Sequence, residues 1–181
     1  MIRAVALALF AISVIACARA DKPLAGWDRA RWGMSASEIQ TAYPAATPQK
    51  RDTHDYGGGR KYYCDLTLTG TTIAGYDFTV QFLMDNSDRL AAVHLAKEFN
   101  EDTYFSIQAV HAQSAYRMVE DLLVQKYGKP TEQSEQPESG RWAKWYLPNT
   151  KIELSGFWPS SLNRAPRIDI AYLKPGDTDK L

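Results

Sequence analysis

The 181-residue chain has two cysteines, three histidines and no excess of either charge, with 21 basic side chains against 21 acidic. Each shortage excludes something. A balanced charge provides no basic field to draw in a polyanion, so nucleic acid is not an expected partner. The histidines are scattered and none belongs to an H-x-x-x-H pair, so no metal centre is expected. No Gly-x-Ser-x-Gly elbow and no Ser-x-x-Lys motif is present, which removes the common signatures of a serine nucleophile. Gly57-Gly58-Gly59-Arg60-Lys61 lacks P-loop spacing and precedes a strand where a phosphate cradle needs a helix. A calcium loop begun at Asp85 would put Leu90 at its glycine position and Ala96 at its bidentate glutamate. No catalytic residue, cofactor or metal ligand is therefore assigned from motifs.

Long hydrophobic runs are also missing. Ala4 to Ala16 is a run of thirteen apolar or small residues with no charge, short of the ~20 needed to span a bilayer. Preceded by Met1-Ile2-Arg3, it has the length and flanks of a secretory signal peptide. Two processing sites compete. Ala18-Arg19-Ala20 offers small residues to a signal peptidase, making residues 1–20 the signal. Alternatively Val14-Ile15-Ala16-Cys17 has the form of a bacterial lipobox, so that residues 1–16 leave and Cys17 carries a lipid anchor. Removal of 1–20 leaves 19 basic against 21 acidic side chains. Either way Cys64 has no intrachain partner in an oxidising compartment. It alternates with Tyr62, Leu66 and Leu68, which reads as a small buried hydrophobe on one strand face.

The composition, 45% hydrophobic and 23% charged, suits one globular domain. After a leader over 21–31, the domain is expected over 32–174, with a flexible tail over 175–181. Ser35-Ala36-Ser37-Glu38 fits a capping box, and Pro44 ends the short helix that follows. Ala45 to Arg60, with Pro48 and the glycine triplet, reads as loop. Strands follow at Lys61–Thr69, Tyr76–Asp85 and Arg89–Lys97, the last two forming a hairpin through Asn86-Ser87-Asp88. Thr103 to Tyr127 is a long helix with an apolar stripe of Phe105, Ala109, Ala112, Tyr116, Val119 and Leu123. It is closed by Gly128 and Pro130. Thr131–Gly140 is polar and reads as loop. Strands at Arg141–Leu147, Lys151–Trp158 and Arg167–Leu173 complete the chain.

The expected fold is α+β: antiparallel sheet of about six strands, one short and one long helix on one face, and an (αβββ)2 pseudo-repeat. Gly33-Met34-Ser35-Ala36-Ser37-Glu38-Ile39 resembles the Gly-Met-[Ser/Thr]-x-x-[Glu/Gln]-[Val/Ile] helix start of the SmpA/OmlA family of small outer-membrane lipoproteins. The architecture is similar to the β-lactamase-inhibitor-protein-like fold. The resemblance covers seven residues. It implies an envelope protein that binds other proteins and catalyses nothing. The chain departs from that family in its greater length and in a first helix that ends in Tyr-Pro without the usual Gly.

One surface stands out. Alternation on the last strands sends Trp142, Lys144 and Tyr146 to the side opposite Ala143, Trp145 and Leu147. It sends Lys151, Glu153 and Phe157 to the side opposite Ile152, Leu154 and Trp158. Arg167 and Asp169 continue that outer face. Aromatics interleaved with both charge signs are the make-up of a protein-binding surface. The alternatives are plain cross-strand pairing, coverage by the first half's sheet, or sugar stacking. The leading expectation is a non-catalytic exported envelope protein that binds an envelope or secreted protein partner through Trp142, Lys144, Tyr146, Glu153, Phe157 and Arg167. The competing expectation is an enzyme, or a small-ligand or glycan binder, using a loop around His54, which Asp52 and Asp55 flank. His94 falls on the weaker face of its strand, and His111 falls on a solvated helix position beside Gln108 and Ser114.

Overall fold

The computed structural model describes residues 25–55, 61–100, 104–136, 140–159 and 164–176. The elements are β1 (Gly26–Trp27), β2 (Ala30–Arg31), α1 (Ala36–Ala42), β3 (Thr47–Asp55), β4 (Lys61–Ile73), β5 (Tyr76–Met84), β6 (Leu90–Glu98), α2 (Phe105–Tyr127), β7 (Glu132–Gln136), β8 (Gly140–Leu147), β9 (Thr150–Phe157) and β10 (Arg167–Leu173). Eight strands form one antiparallel sheet in the order β3-β4-β5-β6-β10-β9-β8-β7, and β1 and β2 pair separately. The fold is thus α+β with a large antiparallel sheet and two helices.

The chain runs helix then four strands, twice, where sequence periodicity suggests helix then three. Outward from the junction of β6 and β10, each half lays down its strands in reverse chain order, which gives the sheet a pseudo-two-fold arrangement. The strands that periodicity overlooks are β3 and β7, the two sheet edges, which lie in segments read as loops. The reason is physical. Residues 47–53 of β3 are exposed and β7 is Glu-Gln-Ser-Glu-Gln, so neither segment carries the apolar alternation that marks a half-buried strand. Pro48 is tolerated because β3 pairs on one side only, with a register shift between Pro48 and Asp52.

The helices cover one sheet face. α1 starts in the expected capping box: Ser35 N–H donates to Glu38 Oε2 at 2.8 Å, and Glu38 N–H donates to Ser35 Oγ at 3.4 Å. Bonding to the Ser35 backbone and hydroxyl holds the Glu38 carboxyl below its ordinary range. Just before the helix, Gly33 N–H donates to Leu90 O at 2.9 Å and Leu90 N–H to Met34 O at 2.8 Å. The Gly33–Ile39 motif therefore docks α1 onto the start of β6. α2 buries Ala112, Ala115, Tyr116, Val119 and Leu123 against β9 and β10. It ends where Gly128, at φ 82°, donates its N–H to Val124 O.

Three local expectations need correction. Residues 26–31, read as leader, form the β1–β2 hairpin, which the Tyr43 hydroxyl ties down by accepting the N–H groups of Arg29 (2.9 Å) and Ala30 (3.1 Å). Trp27 stacks on Tyr43 with ring centroids 5.9 Å apart. Second, a bulge between Cys64 and Leu66 splits the expected Tyr62/Cys64/Leu66/Leu68 face. Leu66 and Leu68 join the main core under the helices, whereas Tyr62 and Cys64 join Leu83, Ala91, Ala92, Ala171 and Leu173 in a second apolar cluster. Cys64 is buried there, and that burial raises its thiol pKa. Third, the first half's strands do not stack over the C-terminal strands. The halves join edge to edge, β6 pairing with β10 from Arg167↔Glu98 to Leu173↔Ala92.

Candidate functional site: a groove on the uncovered sheet face

Side-chain alternation on a pleated sheet divides each central strand between two faces. On β10, Ile168, Ile170 and Tyr172 enter the core beneath the helices, which leaves Arg167, Asp169 and Ala171 on the other face. On β9, Ile152 and Leu154 enter the core, opposite Lys151, Glu153, Ser155 and Phe157. On β8, Ala143 and Trp145 enter it, opposite Trp142, Lys144 and Tyr146. On β6, Val93 and Leu95 leave His94 and Ala96 outward. Of these outward residues, His94, Ala96, Trp142, Lys144, Glu153, Ser155, Arg167, Asp169 and Ala171 line a groove of about 600 Å³ that reaches from Thr53 on β3 and Gln81 on β5 across to β8. A second cavity of about 590 Å³ continues it past Phe157, Arg164 and Ala165, sharing Glu98, Trp142, Ser155, Arg167 and Asp169.

The groove floor is a chain of polar contacts. Arg167 Nε donates to Asp169 Oδ2 at 2.9 Å, and His94 Nε2 meets Asp169 Oδ1 at 3.0 Å. On its other side, His94 Nδ1 meets Gln81 Oε1 at 3.1 Å. A carboxylate only accepts, so Nε2 carries a proton. In a neutral ring Nδ1 then accepts from the Gln81 amide. In an imidazolium it donates to Gln81 Oε1, and the amide serves either form by turning over. Both carboxylate oxygens of Asp169 and both ring nitrogens of His94 are thus committed to one another and to their neighbours. The histidine and aspartate side chains are 18% and 13% exposed, so these bonds are formed largely out of water and hold the floor in one arrangement.

Aromatic and charged side chains line the groove and flank it. Lys144 Nζ lies 4.8 Å from the Trp142 ring centre, and Lys151 Nζ lies 5.5 Å from that of Tyr146. Lys151 also pairs with Glu153 at 2.8 Å. Burial, first of all, pushes the Tyr146 phenol above its ordinary pKa, and Lys151 partly offsets this. Arg167 is half exposed and gives its Nε to Asp169, which aims the terminal fork of the guanidinium from a fixed base.

All six side chains expected to bind a partner lie on this one face. Trp142, Lys144, Glu153 and Arg167 line the larger cavity, Phe157 lines its continuation, and Tyr146 stands beside them, 38% exposed. Register places Glu153 opposite Lys144 and Phe157 opposite Arg167. Sequence reasoning missed His94, Gln81 and Glu98, which belong to the first half. Their alternation was visible, but their neighbourhood with β10 was not. His54 is not in a loop: its backbone lies on β3, paired with Tyr62. The adjoining Gly57–Gly59 and the expected signal segment with Cys17 lie outside the described residues. His111 is exposed on α2, as expected. Among the described residues no group of three or more His, Cys, Asp or Glu could hold a metal ion, and no helix is long and apolar enough to cross a membrane.

Comparison with known protein families, curated proteins and solved structures returns no match for this chain.

Proposed function

We propose that this is an exported, non-catalytic envelope protein that holds a protein partner in the groove on the open face of its sheet. The observation that carries the reading is the asymmetry of the sheet. One face is sealed by α1 and α2, and the other presents Trp142, Phe157 and Arg167 among paired charges in a continuous groove, with Tyr146 beside it. Such side chains dominate binding energetics where they are only partly covered by their own chain. The commitment of both His94 nitrogens supports a binding floor over an acid–base site, since a general base needs a lone pair free to take the proton. The positively flanked apolar leader supports export, and Cys17 supports a lipid anchor as one form of it. The Gly33–Ile39 resemblance points to the same compartment.

The groove volume also favours one second reading, a small ligand or glycan stacked on Trp142, because ~600 Å³ falls inside the range of ligand cavities. One experiment separates them. Tagged protein and a Trp142→Ala/Phe157→Ala variant are captured from gently solubilised envelopes. A partner recovered in near-equal amount with the parent, and lost with the folded variant, supports the protein-binding reading. A partner retained by the variant refutes the groove assignment. Export is checked by fractionation, with recovery in the cytoplasm as the contrary result.

A further inference from the structure

We infer that the partner segment held in the groove crosses Arg167 with an acidic side chain, whose carboxylate docks on the terminal nitrogens of that guanidinium, beside an apolar residue packed on Phe157 and Trp142. The inference rests on the protein-binding reading above and names the chemistry of the occupant. Arg167 and Trp142 line both cavities and so stand where the two join, whereas Phe157 and Arg164 line only the second. Register puts Phe157 directly opposite Arg167, and directly opposed side chains start roughly 5 Å apart. A cation held from a fixed base and an aromatic wall therefore share one spot.

The charges already engaged decide the sign of the ligand. Among the described residues, Glu98, Glu153 and Asp169 are the acids that line the two cavities. Asp169 gives one oxygen to Arg167 Nε and the other to His94. Glu153 pairs with Lys151 at 2.8 Å. Of the arginines, Arg141 turns to the helix side, where it lies 3.8 Å from Glu120 and over the Tyr116 ring. Arg164 is exposed, and Arg167 is 53% exposed with only Nε engaged among the described residues. A segment laid across the groove takes the terminal nitrogens of Arg167 out of water. Without an acceptor they would cost binding energy, whereas a carboxylate meets them bidentately. Glu98 stands opposite Arg167 in register without an ion pair to it, which makes it the carboxylate that competes for the same fork.

The groove continues on both sides of Arg167, toward Gln81 and Thr53 one way and toward Arg164 and Ala165 the other. A chain end bound at Arg167 would leave one of those arms empty. A segment that runs through both reaches the fork only with a side chain, so the carboxylate is that of an aspartate or glutamate.

The test uses protein expressed from the full reading frame and purified as the cell leaves it. It is panned against two random heptapeptide libraries, one tied at both ends within a displayed loop and one ending in a free carboxylate. The tied library is expected to return segments with an aspartate or glutamate next to an apolar residue. In end-blocked synthetic copies, replacing that acid by its amide is expected to weaken binding about tenfold, the scale of one charge-assisted contact. Arg167→Gln is expected to cost the same tenfold toward the acidic copy and nothing further toward the amide copy, a coupling that a merely structural role would not produce. Arg167→Lys, which keeps the charge and loses the fork, falls between. Glu98→Gln, at an exposed position, is expected to tighten binding of the acidic copy by removing the competing carboxylate. Segments without an acid, an acid not coupled to Arg167, or enrichment from the free-ended library alone overturns the inference. Segments that need Trp142 and Phe157 but ignore Arg167 refute it alone and leave the groove reading standing. Segments indifferent to Trp142→Ala/Phe157→Ala, or no selected segment from either library, refute both.

Discussion

Removing the carboxylate of Asp169 is the most direct way to ask whether the groove floor is one connected network. In Asp169→Ala, the His94 Nε2–H loses its acceptor at 3.0 Å and Arg167 loses its anchor at 2.9 Å. The two losses differ in size. His94 is largely buried, so an unpaired ring N–H there costs about 1–3 kcal/mol. Arg167 is 53% exposed, and water replaces its lost partner at a cost of at most ~1 kcal/mol. Together they predict a destabilisation of about 2–3 kcal/mol, read from urea unfolding at constant m-value. His94→Ala removes the same contact from the other side, so the double variant should be less destabilised than the sum of the singles. A coupling energy of roughly 1 kcal/mol or more is expected, well outside the ~0.3–0.5 kcal/mol scatter of independent sites. Diethylpyrocarbonate provides a second readout: it should modify exposed His111 quickly and His94 slowly, and Asp169→Ala should remove that difference. Additive single-variant effects together with equal modification rates in the parent would refute the connected floor. They would also free His94 for acid–base chemistry and weaken the non-catalytic reading.

Two further outcomes follow from the core. Tyr43→Phe deletes one oxygen but orphans the Arg29 and Ala30 N–H groups, the second at a fully buried residue. It should cost about 2–3 kcal/mol by urea unfolding and make residues 25–31 the first site of limited proteolysis. An unchanged midpoint would mean that the β1–β2 hairpin is not docked. Tyr172, buried beside Tyr127, has its phenol pushed strongly upward, chiefly by burial. In alkali it therefore stays protonated in the folded state while it ionises in the unfolded chain. The unfolded state then binds fewer protons, so stability is intact below pH ~10 and falls above it, with a slope of up to ~1.4 kcal/mol per pH unit from this one group. Tyr172→Phe should flatten that alkaline slope, and an unaltered pH profile of thermal unfolding would contradict the assignment.

Much of this architecture is legible along the chain, and its legibility tracks burial. β5 puts Phe78, Val80, Phe82 and Met84 into the core at every second residue. β8, β9 and β10 do the same, so both their existence and the facing of Trp142, Lys144, Glu153, Phe157 and Arg167 follow from period two. The core stripe of α2 and the Ser35–Glu38 cap follow from local rules of the same kind. Where a strand lacks apolar alternation the signal vanishes, and β3 and β7 become visible only through their hydrogen bonds to β4 and β8. The bulge beyond Cys64 escapes as well, because it inserts a residue without changing the apolar alternation.

The amino-acid sequence by itself determined which side chains share a face within the two helices and the unbulged, half-buried strands, because that depends on backbone geometry over a few residues. It also carries the leader, the short supply of histidine and cysteine, and the balanced charge. Only the tertiary structure decided that β6 lies against β10, which joins the two halves into one open sheet and not a stacked pair. That adjacency brings His94 within 3.0 Å of Asp169, 75 residues away, and sets Gln81 and Glu98 among the aromatics of the second half. Pairing across such distances is settled by which edges can satisfy their backbone hydrogen bonds while sealing a common core. No local pattern records that competition.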